Sequence, residues 1–384
     1  MTRAWFLLLP IFFLTVNVAG AQSKDWQAEW EKIVKIAKAE REVAVGCEPP
    51  VDNQNALLEF SKAYSDIQLK LSPIGARDFA NRVLAERRAG KYLSDVFIGG
   101  STSPTQVLVP AKALDPIRPA LILPEVANES FWFKKKFHFA DRESQYVFLS
   151  AGAVINDVVV YNTQLVRRDE LRSFWDLTNP KWKGKIAAYD PRLPGGASND
   201  MRFLYYNPKL GPKFLQKLFG EMKIAIAADR RQVMDWLATG KYAIALFASR
   251  EVDAAKRQGL PVDELTSLKA EGSHLSSGAG SIALINRAPH PNSARVFINW
   301  FLSRQGQMAW QKNTDRNSLR TDIPKESLTA WRERVPQEDG DYIFTNLAEY
   351  DDLTSGRKIV EEVLKETGKL RSSAPGAAGI QSPR

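Results

Sequence analysis

The chain reads as an α/β protein of two lobes, and three observations carry that reading. Short apolar, β-branched runs alternate with amphipathic helical stretches. The alternation occurs in two separate blocks, over residues 43–98 and again over residues 185–258. Two further β-branched runs, residues 153–161 and 281–285, are placed to carry the chain from one lobe to the other and back. Strands and helices in alternation build a mostly parallel sheet covered by helices.

The elements follow in order. Arg3, the apolar run 4–18 and the small residues Ala19-Gly20-Ala21 have the anatomy of a secretory signal peptide cut before Gln22. An apolar run of about 15 residues is short of the ~20 that span a membrane. The mature chain is therefore expected in the periplasm. Asp25 is placed to cap a first helix whose Trp26, Trp30, Ile33, Val34 and Ala37 fall at helical spacing. Strands are expected at 43–46, 67–74 and 94–98, with helices at 53–64 and 77–88 and a short one opening at Pro104. In the second block strands are expected at 185–189, 222–227 and 242–248, and helices at 199–206, 212–219, 230–238 and 251–258. Helices at 293–301, 305–312 and 353–369 are expected to pack back on lobe one. The Ser-, Pro-, Gly- and Ala-rich stretch 371–384 has nothing to bury and is expected to be disordered.

Composition narrows the function classes. A hydrophobic share of 44% with 25% charged residues is that of a globular protein. Cys47 is the only cysteine, which excludes an intramolecular disulfide. It ends an apolar run and reads as a small buried thiol. The net charge of +9 is scattered among 44 acids, unlike the clustered charge of a nucleic-acid binder. The one dense run, Lys134-Lys135-Lys136, lies beside Phe131, Trp132, Phe133 and Phe137 and reads as a solvated face over an aromatic anchor. A basic bias still fits an anionic ligand. His138, His274 and His290 make no His-Glu-x-x-His pattern, and the chain has no Gly-x-Ser-x-Gly elbow. No catalytic residue, metal ligand or cofactor is assigned, and a secreted hydrolase is a remote alternative.

Two segments carry a family resemblance. The first runs from Val160-Tyr161-Asn162-Thr163 through Ser173-Phe174-Trp175-Asp176-Leu177 to Asn179-Pro180-Lys181-Trp182-Lys183-Gly184-Lys185-Ile186. The second is Ala288-Pro289-His290-Pro291-Asn292, then Phe297-Ile298-Asn299-Trp300-Phe301-Leu302-Ser303 and Gly306-Gln307. In this order they resemble the extracellular solute-binding proteins of ABC importers, and more narrowly the branch containing ferric-iron binding proteins. The resemblance implies a type II-like periplasmic binding fold with the ligand between two lobes and two crossing hinge strands. It also implies a monomer that delivers its solute to a membrane permease with its ATPase. The expected division is a signal peptide 1–21, lobe one 22–152 and 288–370, hinge strands 153–162 and 278–287, lobe two 163–277 and a tail 371–384.

In open α/β sheets ligands bind beyond the carboxyl ends of strands, where helix starts offer free N–H groups to anions. Four strand-to-helix turns stand out: 47–53, 74–78, 99–105 and 190–200. Gly99-Gly100-Ser101-Thr102 and Gly195-Gly196-Ala197-Ser198-Asn199 set glycines before hydroxyl or amide residues. Many ferric-binding members carry adjacent tyrosines just after a lobe-two strand. Here that position reads Ala248-Ser249-Arg250-Glu251, and arginine does not ligate a cation. Tyr205-Tyr206 lies well before it, in a helix, and reads as aromatic packing. Arg77, Arg230 and Arg250 take the place of metal ligands, since guanidinium forks match carboxylate and phosphate. The candidate ligand-binding residues are Arg77, Ser101, Thr102, Ser198, Asn199, Arg230 and Arg250. The expected ligand is a carboxylate, phosphonate or sugar phosphate, with Fe(III) the alternative. Residues 317–322 are expected at the cleft rim.

Overall fold

The computed structural model describes residues 19–155, 158–193, 197–266, 268 and 270–366, and of residues 19–25 and Arg250 the backbone alone. Residues 1–18 of the expected signal peptide and the tail 371–384 lie outside the described residues. Helix α1 (Ala19–Glu40) leads into β1 (Glu42–Cys47), α2 (Val51–Ala63), β2 (Gln68–Pro73), α3 (Ala76–Arg88) and β3 (Val96–Gly99). The helix is already formed at Ala19, so Asp25 sits inside it and does not cap it. β1 lies between β2 and β3, parallel to both, with Cys47 opposite Pro73 and Ile98. The carboxyl ends of three strands therefore share one edge. Val43, Val45 and Cys47 are buried. Burial, then the neighbouring Glu48 charge, pushes the Cys47 thiol up to about 11, so it stays protonated and packs as an apolar group.

β4 (Leu114–Asp115), α4 (Pro124–Ala127) and β5 (Val147–Leu149) complete the first pass through lobe one. The chain leaves through β6 (Ala153–Ile155) and enters lobe two as β7 (Val159–Asn162). Lobe two then forms β8 (Ile186–Tyr189), α5 (Ala197–Tyr206), α6 (Gly211–Glu221), β9 (Ala225–Ala227), α7 (Arg230–Ala238), β10 (Ile244–Leu246), α8 (Val252–Arg257) and β11 (Val262–Glu264). Its sheet runs β11-β7-β10-β8-β9, with β8, β9 and β10 parallel and β7 and β11 antiparallel to the strands beside them.

The return differs from expectation. The chain crosses back through β12 (Ser273–Ser276), which pairs antiparallel with β6, and only then forms β13 (Ser281–Ile285). β13 is buried along its whole length in the middle of the lobe-one sheet, between β3 and the pair β4 and β5. A strand covered on both faces reads as an unbroken apolar run, whereas the crossing strand is short and polar. That contrast made β13 look like the hinge.

α9 (Pro291–Leu302) and α10 (Arg304–Thr314) return to lobe one, against α1 and α2. After α11 (Trp331–Arg334), β14 (Tyr342–Phe344) joins β12 and β6 in a three-stranded hinge sheet. The chain then crosses a third time. α12 (Thr354–Glu366) buries Val360 and Leu364 in lobe two, against α6 and α5, and not in lobe one as expected. An amphipathic pattern shows that one face is buried but not which surface covers it. The segment 317–322 also departs from expectation. Ser318, Leu319 and Arg320 are buried in lobe one, where Arg320 pairs with Asp322 and Glu125 under Trp132.

Each lobe has its own core. Phe60, Phe97, Phe148, Phe297 and Trp310 anchor the first, and Phe174, Phe203, Phe214 and Phe219 the second. Full burial of each such side chain contributes roughly 1.5–3 kcal/mol. Trp132, Phe133 and Phe137 are buried while Lys134, Lys135 and Lys136 are exposed, the anchored charged face read from the sequence.

Candidate functional site: the cleft between the lobes

The lobe-one edge is made by the ends of β1 and β3 and the start of α3. Glu48 leaves the end of β1 and turns its carboxylate across this edge. Its Oε1 accepts from the backbone N–H of Ala76 and from that of Gly100, each at 3.3 Å. Gly99 makes the close approach possible, since a Cβ there would lie 2.5 Å from the Phe97 ring and 3.0 Å from Glu48 Cγ. Arg77 and Thr102 are exposed beside it. Ser101 is buried, and its Oγ accepts from Asn346 Nδ2 at 3.1 Å.

The lobe-two edge is finished differently. Asp229 caps α7, its carboxylate accepting from Arg231 N at 2.9 Å. That cap fixes the helix start and places Arg230 over the ends of β8 and β10. The Arg230 guanidinium lies 3.8 Å from the Tyr189 ring centroid, and its Nε donates to the Phe247 carbonyl at 3.3 Å. Its Nη2 is buried and, among the described residues, has no hydrogen-bond partner. Phe247 itself has φ +62°, a left-handed conformation that costs a non-glycine residue about 1–3 kcal/mol and clusters at ligand sites. Arg250 follows in a single turn of 3-10 helix, Ser249–Glu251. Arg192, by contrast, is spent on Asp190, with hydrogen bonds of 2.8 and 2.6 Å.

The floor between the edges is a run of hydrogen bonds through the hinge. Asn346 joins Ser101 to the backbone N–H of Ser277, at 3.1 and 2.9 Å. Asn199 Nδ2 donates to Ser276 Oγ at 2.9 Å, and its Oδ1 accepts from Arg202 Nη1 at 2.8 Å. Ser198 Oγ accepts from Arg357 Nη2 at 3.1 Å. The structure therefore brings Ser101 and Asn199 to the hinge and Ser198 to α12, and engages each with protein. Gly195 and Gly196 lie outside the described residues.

The sequence reading missed three contributors. Glu48 lies within the 47–53 turn, but its partners are 28 and 52 residues away. Arg202 and Arg357 meet only because α12 crosses to lobe two. Asp351, ahead of α12, accepts from Gln106 Nε2 of lobe one at 2.9 Å and lies 3.7 Å from Arg202 Nη2 of lobe two. The C-terminal segment is thus a strap across one side of the cleft.

The tyrosine pair packs against that strap. Tyr206 OH donates to the Asp352 carbonyl at 3.1 Å, its ring meets Tyr350 edge-on, and Tyr205 lies against Gly356. Among the described residues no group of three or more His, Cys, Asp or Glu could hold a metal ion. His290 leads into α9, with Asp95 accepting from its backbone N–H at 2.8 Å. A cavity of about 760 Å³ lies on the hinge flank between Arg168, Arg172, Arg332 and Tyr342. A smaller one of about 250 Å³ opens beside Arg316, Ile155 and Thr266.

Comparison with known proteins places this architecture. A ferric iron-binding protein A from Mannheimia haemolytica, in an open conformation, has the same fold, with a TM-score of 0.63 and 17% identity over 84% of this chain and 98% of that one. The periplasmic binding protein AfuA of Actinobacillus pleuropneumoniae, with fructose-6-phosphate bound, matches with a TM-score of 0.56 and 18% identity, covering 85% of this chain and 98% of its own. An uncharacterized protein of Haemophilus influenzae is 24% identical over 249 residues, 62% of this chain and 67% of that protein. Residues 48–308, well over half of the chain, match the bacterial extracellular solute-binding protein family. The chain is therefore a member of the bacterial extracellular solute-binding proteins, a non-enzymatic family that serves ABC importers.

Proposed function

We propose that this solute-binding protein captures a small organic anion, a carboxylate, phosphonate or sugar phosphate, in the cleft between its lobes. The observation that carries the reading is Arg230. Its guanidinium stands at the carboxyl ends of β8 and β10 with a buried Nη2 that has no partner among the described residues. Buried polar groups are nearly always hydrogen-bonded, and a ligand oxygen satisfies this one. Arg250, in the turn after β10, is the second anion contact, and Ser198 and Asn199 hold the hinge side. The fructose-6-phosphate-bound neighbour makes a sugar phosphate a natural probe.

Fe(III) is the second reading, because other neighbours bind iron. It is weaker for this chain. Phe247-Ala248-Ser249-Arg250 offers no phenolate after β10, and Tyr205 and Tyr206 are engaged by the strap. The chain works in the periplasm after cleavage before Gln22, acts as a monomer and passes its ligand to a membrane permease driven by an ATPase. Mass spectrometry of exported protein tests the first point, since a peptide containing Arg3 contradicts it.

A thermal-shift screen against organic acids, phosphonates, sugar phosphates and Fe(III) tests the ligand class. A ligand at about 100-fold over Kd raises stability by roughly 2.7 kcal/mol. An organic anion is expected to shift the wild type and, at the same concentration, to stabilise Arg230→Ala by only roughly 0.3–1.4 kcal/mol. Stabilisation by Fe(III) alone, with a tyrosinate charge-transfer band, contradicts the proposal.

A further inference from the structure

We infer that Glu48 fixes the polarity of the ligand, so that the cleft selects a polyhydroxylated molecule with its anionic group at one end only. The inference rests on the anion reading above. The backbone N–H groups of Ala76 and Gly100 stand at the lobe-one sheet edge, and Glu48 Oε1 already accepts from both. The anion cradle of lobe one is thus filled by a carboxylate of the chain itself. A second anion brought there meets like charge, and repulsion of the wrong partner is a standard source of specificity. The ligand's anionic group is therefore directed to Arg230 on lobe two.

What faces Glu48 follows from the other charges beside it. Arg316 donates to Asn53 Oδ1 at 2.6 Å and lies within electrostatic reach of both Glu48 and Asp52. Arg77, exposed at the same edge, offsets the second carboxylate, so it is the carboxylate already seated on the two amides, and not a net charge, that keeps a second anion from them. Neutral hydroxyl donors fit best. Among the described residues Glu48 Oε2 makes no hydrogen bond and is the acceptor offered to them.

Calorimetry on wild type and Glu48→Gln tests this. The glutamine keeps an acceptor for the two amides, and an unchanged unfolding midpoint without ligand shows that the edge is intact. The probes are two matched pairs: fructose-6-phosphate against fructose-1,6-bisphosphate, and gluconate against glucarate. In at least one pair the wild type is expected to bind the singly charged-ended member at least about tenfold tighter, and Glu48→Gln to bring the two within about threefold. Equal binding by the wild type, or the same ratio in Glu48→Gln, overturns the inference. Binding of neither pair overturns the substrate class named here. The anion reading itself then stands or falls separately, on the response of Arg230→Ala in the broader screen.

Discussion

At the edge of the lobe-one sheet the amides of Ala76 and Gly100 are met by Glu48, whereas at the edge of the lobe-two sheet Arg230 keeps a buried Nη2 donor unmet. Both edges arise in the same way, from parallel strands that end together and turn into helices. They differ in whether the chain supplies its own partner. Lobe one meets these two amides with its own carboxylate, so its part is to orient and select. Lobe two carries an unmet guanidinium donor and a left-handed Phe247, and both are tolerated where a ligand is to come.

The largest expected effect separates the lobes by stability. Leu364 of α12 is 2% exposed in the lobe-two core. Leu364→Ala is expected to cost about 2–5 kcal/mol and to act on lobe two alone. Hydrogen exchange is the measurement, with faster exchange in α5 and α6 and unchanged protection in β1 and β3. Equal loosening of both lobes breaks the comparison.

Next comes acid. His138 is buried in lobe one, and burial holds its ring down to about 4, with Nε2 2.9 Å from the Phe133 carbonyl. The unfolded chain takes up this proton near the ordinary value of about 6.5. Stability from the neutral ring is therefore full above about 6.5 and falls as the pH drops to about 4, by up to roughly 3 kcal/mol. Calorimetry between these limits is expected to show lobe one losing stability ahead of lobe two. His138→Gln is expected to flatten that slope, and an unaltered slope contradicts the assignment.

The smallest effect concerns the strap. Asp351 touches Gln106 of one lobe and approaches Arg202 of the other, but it is 36% exposed. Asp351→Asn is expected to change stability by less than about 1 kcal/mol. Its readout is shape: small-angle scattering of the unligated protein should report a larger radius as the lobes separate. No change leaves the strap a passive connection.

How much of this was legible in the sequence depended on how local each feature is. β1, α3, α7 and β13 follow from periodicity and turn residues within the segment itself, and the structure places them within a few residues of expectation. The place of Arg230 was legible as well, at a helix start after a lobe-two strand. The role of β12 was not, since Ser273-His274-Leu275-Ser276 has no apolar run, and its pairing with β6 joins residues far apart in the chain. Nor was α12: its apolar face is plain, but the lobe that covers it is set by a third crossing. Glu48 was hidden for a related reason. Its partners are backbone amides on two other loops, and an amide leaves no mark in a sequence.

The central claim is that the anion is held by lobe two and not by lobe one, and it is tested most directly by titrating Arg230→Ala and Arg77→Ala beside the wild type with the anion found in the screen. A hydrogen bond from a charged group contributes about 1.5–3 kcal/mol. Arg230→Ala is therefore expected to lose about 10-fold to 150-fold in affinity, at 1.4 kcal/mol per factor of ten. Arg230→Lys should recover part of it, keeping charge without the planar fork. Arg77 is exposed at the lobe-one edge, and its removal should cost less than about threefold. Affinity lost with Arg77 and kept without Arg230 would contradict the account.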